Sequence, residues 1–248
     1  MIIKNYLYNK SIEIIFNEFK HTYFINGEKI PSVTKILSVI DKPALLNWGV
    51  KTAIDYCREE IKPGIMMDEI QLHTVFEDAK KAHWKKKTDA GDLGTMIHKW
   101  IEGYIKGEDP KMPFHEGFRN AVEQFLKWKE EYDVKFLLSE QIIFSKAHKY
   151  TGTLDFIAKV KGKLVLGDIK TSSGIYDSYW LQLAAYRIAR VEEYPAEKYL
   201  SNGIIRVGKD GTFEWQETDD WGHHAEAFIA AKTLYEVLER MKGEKEEV

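Results

Sequence analysis

Apolar residues recur at strand or helix spacing along most of the chain, and the first third predicts a short β-hairpin followed by helices. Residues 23–25 and 29–30 have strand character and flank Asn26-Gly27, a pair typical of a two-residue hairpin turn. Ser32 is a suitable N-cap for a helix that begins near Val33. Further helical patterns cover residues 45–60, 68–87 and 94–106.

From about residue 114 the pattern is helix, three strands, helix, strand, which predicts a mixed sheet with helices packed on it. Phe118, Phe125 and Trp128 lie on the apolar face of the first helix. The elements expected after it are strands over 134–145, 150–160 and 163–171, a helix over 176–193, strands over 199–207 and 212–217, and a helix over 221–241. We therefore expect an α/β (α+β) fold, with an N-terminal hairpin and helical arm over 1–93 and one compact core over 94–248.

Composition limits the classes of protein that fit. With 248 residues, of which 44% are apolar, the chain can bury one substantial core. Cys57 is the only cysteine, which excludes an internal disulfide, a cysteine zinc site and an iron–sulfur cluster held by this chain's own thiolates. No apolar run approaches the roughly 20 residues of a membrane span, and the first residues lack the apolar run of a secretion signal. We expect a cytoplasmic protein without a membrane partner.

The formal charge of −3 does not indicate a surface that binds polyanions, so any such surface must be local. One candidate region mixes cationic and aromatic side chains, which suit phosphates and stacked bases. This basic segment consists of Lys80, Lys81, His83, Trp84, Lys85, Lys86 and Lys87. The same pattern also fits a solvated helix face, and the sequence does not decide between the two.

The two central strands of the predicted sheet place three charged residues together. If Lys161-Gly162 forms a two-residue turn, the numbers of opposed residues have a constant sum. Asp155 then lies directly opposite Asp168, with the backbones roughly 4.5–5.5 Å apart. Lys170 lies two residues beyond Asp168 and so shares that face of the sheet. A register shift of one residue would separate the three side chains.

Two opposed carboxylates repel each other in a half-buried sheet unless a counter-charge lies between them. A divalent cation is the natural counter-charge, and oxygen ligands favour Mg²⁺ or Mn²⁺, which keep positions open for water and phosphate oxygens. Such an ion lowers the pKa of a bound water, while Lys170 would orient that water or neutralise developing charge. The alternative is an ordinary polar strand edge in which Lys170 bridges two acids, but Leu154, Phe156 and Val165 indicate central, buried strands.

Four ordered motifs around these residues resemble a known family. They are Gly94 to His98, Gly152 to Asp155, Asp168 to Thr171 and Gln182 to Tyr186. The series resembles the helical histidine, GxxD, DxK and QxxxY motifs of the PD-(D/E)xK nuclease superfamily, in its RecB-like exonuclease branch. Asp168 stands where many members have Glu, a variant that is common in this branch. Residues 31–34 and 46–48 further resemble phage-encoded relatives of the mitochondrial genome maintenance exonuclease.

The resemblance implies a role for each matching position. The implied catalytic set is Asp155, Asp168, Lys170, Gln182 and Tyr186. The implied ligands of Mg²⁺ or Mn²⁺ are His98, Asp155, Asp168 and the backbone carbonyl of Ile169. Gln182 and Tyr186 are four residues apart, so they share a helix face that would point at the active site or at the DNA backbone.

Two neighbouring positions have simpler interpretations. Glu140, on the preceding strand, is either an outer acid of the site or a solvated strand residue, and the sequence leaves both open. Ser172-Ser173 is expected to cap the following helix, since no base for a serine nucleophile is indicated nearby.

The function implied by the resemblance is a metal-dependent DNA exonuclease acting on single strands or duplex ends, in phage or host replication, recombination or repair. The implied fold is a restriction-endonuclease-like core, with the helical arm forming a passage for single-stranded DNA. Two alternatives stay open, a structure-specific endonuclease of the same superfamily and a catalytically silent nucleic-acid-binding module. If the chain is phage-encoded, its expected location is the host cytoplasm.

Overall fold

The computed structural model of the protein describes residues 1–208 and 212–246, without the side chains of residues 44, 86–92 and 244–246, and begins with a four-stranded antiparallel sheet. Its strands are β1 (Ile2–Leu7), β2 (Ile12–Asn17), β3 (Thr22–Ile25) and β4 (Glu28–Ile30). Asn26 and Gly27 have φ angles of 52° and 82°, so the predicted hairpin turn is confirmed. No strand was predicted over β1 or β2, although the apolar residues at 12 and 14–16 are a strand signal.

Three helices follow this sheet. Ser32 caps α1 (Val33–Ile36) as predicted, because its Oγ accepts a hydrogen bond of 3.1 Å from the backbone N–H of Lys35. A 3₁₀ turn (Leu37–Val39) leads to α2 (Pro43–Glu60) and α3 (Glu69–Ile105). The prediction of separate helices over 68–87 and 94–106 was wrong, since α3 is continuous. Two glycines at 91 and 94 cost about 1 kcal/mol each, and without a proline they do not break the helix.

The second sheet is mixed, as the sequence predicts, and its strand order is β5-β6-β7-β8-β9. The strands β7 and β8 are parallel and the other neighbours are antiparallel. A helix joins the parallel pair, because two parallel neighbours require a crossover connection. The elements are α4 (Glu116–Glu131), β5 (Lys135–Ser145), β6 (Tyr150–Val160), β7 (Lys163–Lys170), α5 (Asp177–Glu193), β8 (Ser201–Val207), β9 (Phe213–Thr218) and α6 (Gly222–Glu246).

Helices cover both faces of the mixed sheet. Phe156 and Ile157 are successive residues of β6 and so point to opposite faces. Ile157 belongs to a core cluster that includes buried residues of α5 and α6. Phe156 contacts Phe136 of β5, and Phe136 contacts Trp128 of α4. The mixed sheet therefore has helices on both sides, so a buried polar side chain of the sheet carries a free-energy penalty unless it has a partner.

The division into compact units differs from the predicted boundary. One unit consists of Met1–Ile40 with Ile97–Val248, and the other is Asp41–Met96. The first sheet joins the larger unit because Leu7, Ile14 and Tyr23 pack in one cluster with Ile142 and Phe144 of β5. Among the described residues, no helix has the length and apolar character needed to cross a membrane.

Candidate active site

The β6–β7 hairpin has the register that the sequence predicts. Lys161-Gly162 has φ angles of 48° and 81°, which the predicted two-residue turn requires. The strand pairing extends to Phe156 opposite Gly167. Continued by one position beyond the paired residues, this register places Asp155 opposite Asp168, in agreement with the constant sum. Both acids lie in the larger compact unit.

Two side chains and the backbone of Ile169 lie around Asp155. Single ligand atoms of His98, Glu140 and Asp155 all lie within 4.8 Å of one another. Nε2 of His98 is 3.5 Å from Oδ2 of Asp155 and 2.7 Å from the carbonyl oxygen of Ile169. The backbone N–H of Ile169 donates a hydrogen bond of 2.7 Å to the same Oδ2. Asp168 was predicted as a ligand as well, but its carboxylate is not part of the 4.8 Å group.

The donor set suits a hard divalent cation. Ligands that share one Mg²⁺ or Mn²⁺ at about 2.0–2.2 Å lie roughly 3 to 4.4 Å apart. The three ligand atoms here lie within 4.8 Å of one another, which is close to the spacing that a shared ion requires. Carboxylate oxygens, a carbonyl oxygen and one imidazole nitrogen are ligand types that such ions accept. Because a carbonyl oxygen only accepts hydrogen bonds, Nε2 of His98 carries a proton, which it must lose in order to bind a metal.

An irregular stretch of β5 brings Glu140 into this group. Strand pairing on either side sets Glu140 opposite Asp155, and the register shifts at residues 136–138, just before it. Glu140 has a φ of 49°, a left-handed conformation that costs a residue other than glycine about 1–3 kcal/mol. The sequence left Glu140 as either an outer acid of the site or a solvated strand residue. Its position beside His98 and Asp155 favours the first of these roles. The strained backbone of Glu140 thus coincides with the position of its carboxylate beside His98 and Asp155.

Asp168 and Lys170 form a buried ion pair next to the ligand group. Asp168 is 0% exposed, and its Oδ2 contacts the ammonium of Lys170. Its Oδ1 is buried and has no hydrogen-bond donor among the residues that the structure describes. Burial lowers the pKa of Lys170, but the charges of Asp168 and Asp155 outweigh burial and raise it. Lys170 is therefore a positively charged side chain fixed in position by Asp168. Oδ1 of Asp168 is free to accept a proton or to bind a cation.

Three groups of the cluster, Glu140, Asp168 and His98, have raised pKa values. Burial, followed by the nearby charge of Asp155, raises the pKa of Glu140 to about 7. The same two causes raise the pKa of Asp168 to about 7. Burial lowers the pKa of His98, but Asp155 and the hydrogen bond to Ile169 outweigh it, so the pKa rises. These shifts have the sign expected when carboxyl groups are buried close to one another and to a histidine.

Gln182 and Tyr186 share one face of α5 and are joined by a hydrogen bond. Nε2 of Gln182 donates to the Tyr186 hydroxyl at 2.6 Å. Burial, followed by the charges of Asp168 and Asp155, raises the pKa of Tyr186 well above its usual value. A Cβ at Gly152 would lie 2.7 Å from Cε1 of Tyr186, so only glycine leaves room for this ring. The GxxD and QxxxY motifs thus meet in space.

Two other predictions concern residues around the site. Ser172-Ser173 does not cap α5, because the helix begins at Asp177 and Tyr176 is its N-cap. Ser172 instead donates to the carbonyl of Gly174 within the loop. In the smaller unit, Lys80 pairs with Glu77, and the side chains of residues 86 and 87 lie outside the described part of the chain. A role of the basic segment in binding nucleic acid stays a prediction.

Comparison with known proteins identifies no family. No protein-family model matches the chain, and no curated protein sequence matches it. One similar solved structure is the crystal structure of SSO0001, which is 13% identical with a TM-score of 0.29. The match covers 75% of this chain and 86% of that chain. A likeness of this size supports no conclusion about fold or activity, so any assignment depends on the site residues themselves.

Proposed function

We propose that this protein is a metal-dependent DNA exonuclease of the PD-(D/E)xK superfamily, in the RecB-like branch, and that it uses Mg²⁺ or Mn²⁺. The observation that carries the proposal is one cluster. In it the ligand atoms of His98, Glu140 and Asp155 lie within 4.8 Å of one another, beside the buried Asp168–Lys170 pair. A structural role alone does not explain why three acids, a lysine and a histidine cluster on β5, β6, β7 and α3, because each carries a burial penalty.

Each residue of the cluster has a distinct role in phosphodiester hydrolysis. When bound, the cation polarises the scissile phosphate and lowers the pKa of a water molecule. His98, Glu140, Asp155 and the Ile169 carbonyl would hold it, and Oδ1 of Asp168 is available as a further ligand. Lys170 supplies a fixed positive charge where negative charge develops on the phosphate.

Gln182 and Tyr186 complete the proposed site from α5. Both are buried, and the Tyr186 ring is fixed between Gly152 and the amide of Gln182. The tyrosine stays protonated, since its pKa lies well above the usual value, so its hydroxyl can donate to a phosphate oxygen. We assign both residues to orientation of the DNA backbone.

The proposal includes a restriction-endonuclease-like core formed by the mixed sheet and its flanking helices, with DNA as the partner. A cytoplasmic location, in the host if the chain is phage-encoded, belongs to the same proposal. The structure-specific endonuclease uses the same chemistry and differs only in how DNA enters. The silent binding module is less favoured because binding alone does not require an ammonium held against a buried carboxylate.

Linear and circular substrates of the same sequence test the proposal. The purified protein is incubated with end-labelled linear single strands, linear duplex and closed circles, with Mn²⁺, with Mg²⁺ or with EDTA. We expect degradation of linear DNA only, dependent on the metal, with the first label released giving the polarity. Cleavage of circles would favour the endonuclease. Binding without cleavage of any substrate would favour the silent module.

The raised pKa values predict how stability depends on pH. The pKa values of Glu140 and Asp168 rise from 4.5 and 3.8 in the unfolded chain to about 7. The metal-free folded protein therefore binds more protons than the unfolded chain between about pH 4 and 7, and its free energy of unfolding falls as pH rises through this window. Bound metal displaces those protons, so the increase in Tm caused by Mn²⁺ should grow from pH 5.5 to 8.

Thermal unfolding with EDTA and with Mn²⁺ at several pH values measures both effects. The matched variant is Glu140→Gln, which removes one of the titrating acids and should flatten the dependence of the metal-free protein. A metal-free Tm that rises between pH 5.5 and 8, in parent and variant alike, would contradict the prediction.

A further inference from the structure

An exposed tyrosine lies at the end of the loop that leaves the candidate active site. The strand β7 ends at Lys170, and α5 begins at Asp177. Tyr176 is the last residue of the loop between them, and it is 43% exposed. Its hydroxyl lies 2.8 Å from Oγ of Ser173. The ring is therefore both accessible and held in one orientation by a hydrogen bond.

A short chain of contacts joins this ring to Lys170. Tyr176 and Tyr179 meet edge to face, with ring centroids 5.5 Å apart and ring planes at 78°. The ammonium of Lys170 lies over the Tyr179 ring, 5.0 Å from its centroid, and also pairs with Asp168. Tyr179 can cover at most one face of the Tyr176 ring. The exposed ring is thus two contacts away from the cation that would face the scissile phosphate.

We propose that Tyr176 stacks on an unpaired base next to the cleaved phosphodiester, which makes single-stranded DNA or a frayed end the preferred substrate. The inference rests on the proposed function. Every base has a π-face, so a tyrosine can stack on any sequence, and it needs an unpaired base because both faces of an internal base in a duplex are already stacked. A fixed ring loses little conformational freedom on binding, which favours this use of the Ser173 contact.

An alternative is that Tyr176 only supports the start of α5. It is the N-cap residue, but its side chain makes no capping hydrogen bond to the helix. The partners of its side chain are the hydroxyl of Ser173 and the ring of Tyr179. If Tyr176 only supports the helix, its replacement should lower the stability of the protein. If it stacks on a base, its replacement should lower kcat/KM and affinity only for substrates that carry a base at that position.

Abasic substrates separate these two roles. An oligothymidylate of about 12 nucleotides, within the length that one single-strand site covers, is prepared intact and with abasic residues at both ends. For Tyr176→Ala, we expect kcat/KM with Mn²⁺, and affinity by fluorescence anisotropy in EDTA, to fall by on the order of tenfold on the intact strand. On the abasic strand the loss should be within about twofold. Tyr176→Phe and Tyr176→Trp keep a ring but lose the contact with Ser173, so both should lose much less than Tyr176→Ala on the intact strand.

The matched control is Phe19→Ala, which removes another exposed ring, 89% accessible, from the turn between β2 and β3. This variant should keep the parent's kcat/KM and affinity on both the intact and the abasic strand. Equal losses for Tyr176→Ala on intact and abasic strands, equal losses on blunt duplex, or no loss at all would overturn the inference. If the parent cleaves no DNA, the proposed function fails, and the anisotropy comparison still decides whether Tyr176 recognises a base.

Discussion

Replacing Lys170 with alanine is expected to lower kcat by about 10²- to 10³-fold, because a fixed donor aimed at developing charge contributes that much in hydrolytic sites. The ligand group of His98, Glu140 and Asp155 does not include Lys170, so Mn²⁺ binding should persist. The fold should survive too, since Asp168, whose pKa is already about 7, can take up a proton when its partner is removed. Single-turnover cleavage of labelled DNA and calorimetric titration with Mn²⁺ measure the two quantities.

Two further variants make this test specific. Lys163→Ala removes an exposed lysine from the other end of β7 and should leave kcat unchanged. Lys170→Arg keeps a positive charge that cannot give up its proton. Partial recovery with arginine means that Lys170 acts as a charge, and no recovery means that it moves a proton or needs the exact position of its ammonium. A Lys170→Ala protein that cleaves as fast as the parent would contradict the assignment.

Replacing Asp155 with asparagine is expected to abolish metal binding and activity together. Its Oδ2 is the point where His98 and the Ile169 N–H converge, at 3.5 and 2.7 Å. Asparagine can still accept the hydrogen bond from Ile169, so the hairpin should fold, but it lacks the negative charge that attracts the cation. Loss of an outer-sphere partner alone costs about 10- to 100-fold in metal affinity, so loss of a ligand should exceed 100-fold.

Titration calorimetry with Mn²⁺ and the Tm increase caused by Mn²⁺ both measure this loss. The matched control is Asp133→Asn, an exposed acid paired with Lys135, which should retain the full response. If Asp155→Asn binds Mn²⁺ like the parent, the metal lies elsewhere. If it loses the metal and still cleaves, the metal-dependent mechanism is wrong.

The predicted register of the hairpin agrees with the structure because it depended on local chemistry. Positive φ angles at Lys161 and Gly162 define the turn, and an uninterrupted alternation then carries the pairing toward Asp155. The cap at Ser32 was predictable for the same reason, since a hydroxyl and an N–H three residues on are close in any helix start.

The predictions that were wrong or incomplete concern features that depend on contacts between residues far apart in the sequence. The 37-residue helix α3 was predicted as two separate helices, over 68–87 and 94–106. The glycines at 91 and 94 are weak helix breakers, and the helix continues through them. Glu140 stayed ambiguous because a register shift and a left-handed residue interrupt the alternation of β5. Only β3 and β4 of the first sheet were predicted. The packing of this sheet against β5 has no signal in the local sequence pattern.

By itself, the sequence determined the mixed sheet, the turn that aligns β6 with β7, and the shared face of Gln182 and Tyr186. These features follow from periods of two or four residues, which local sterics and hydrogen bonds impose. Only the tertiary structure decided that His98 and Glu140 join Asp155, and that Asp168 pairs with Lys170 instead of entering the same group. Residues 98, 140 and 155 lie on three different elements, α3, β5 and β6, and the relative placement of separate elements has no local sequence signal because it is set by the whole core.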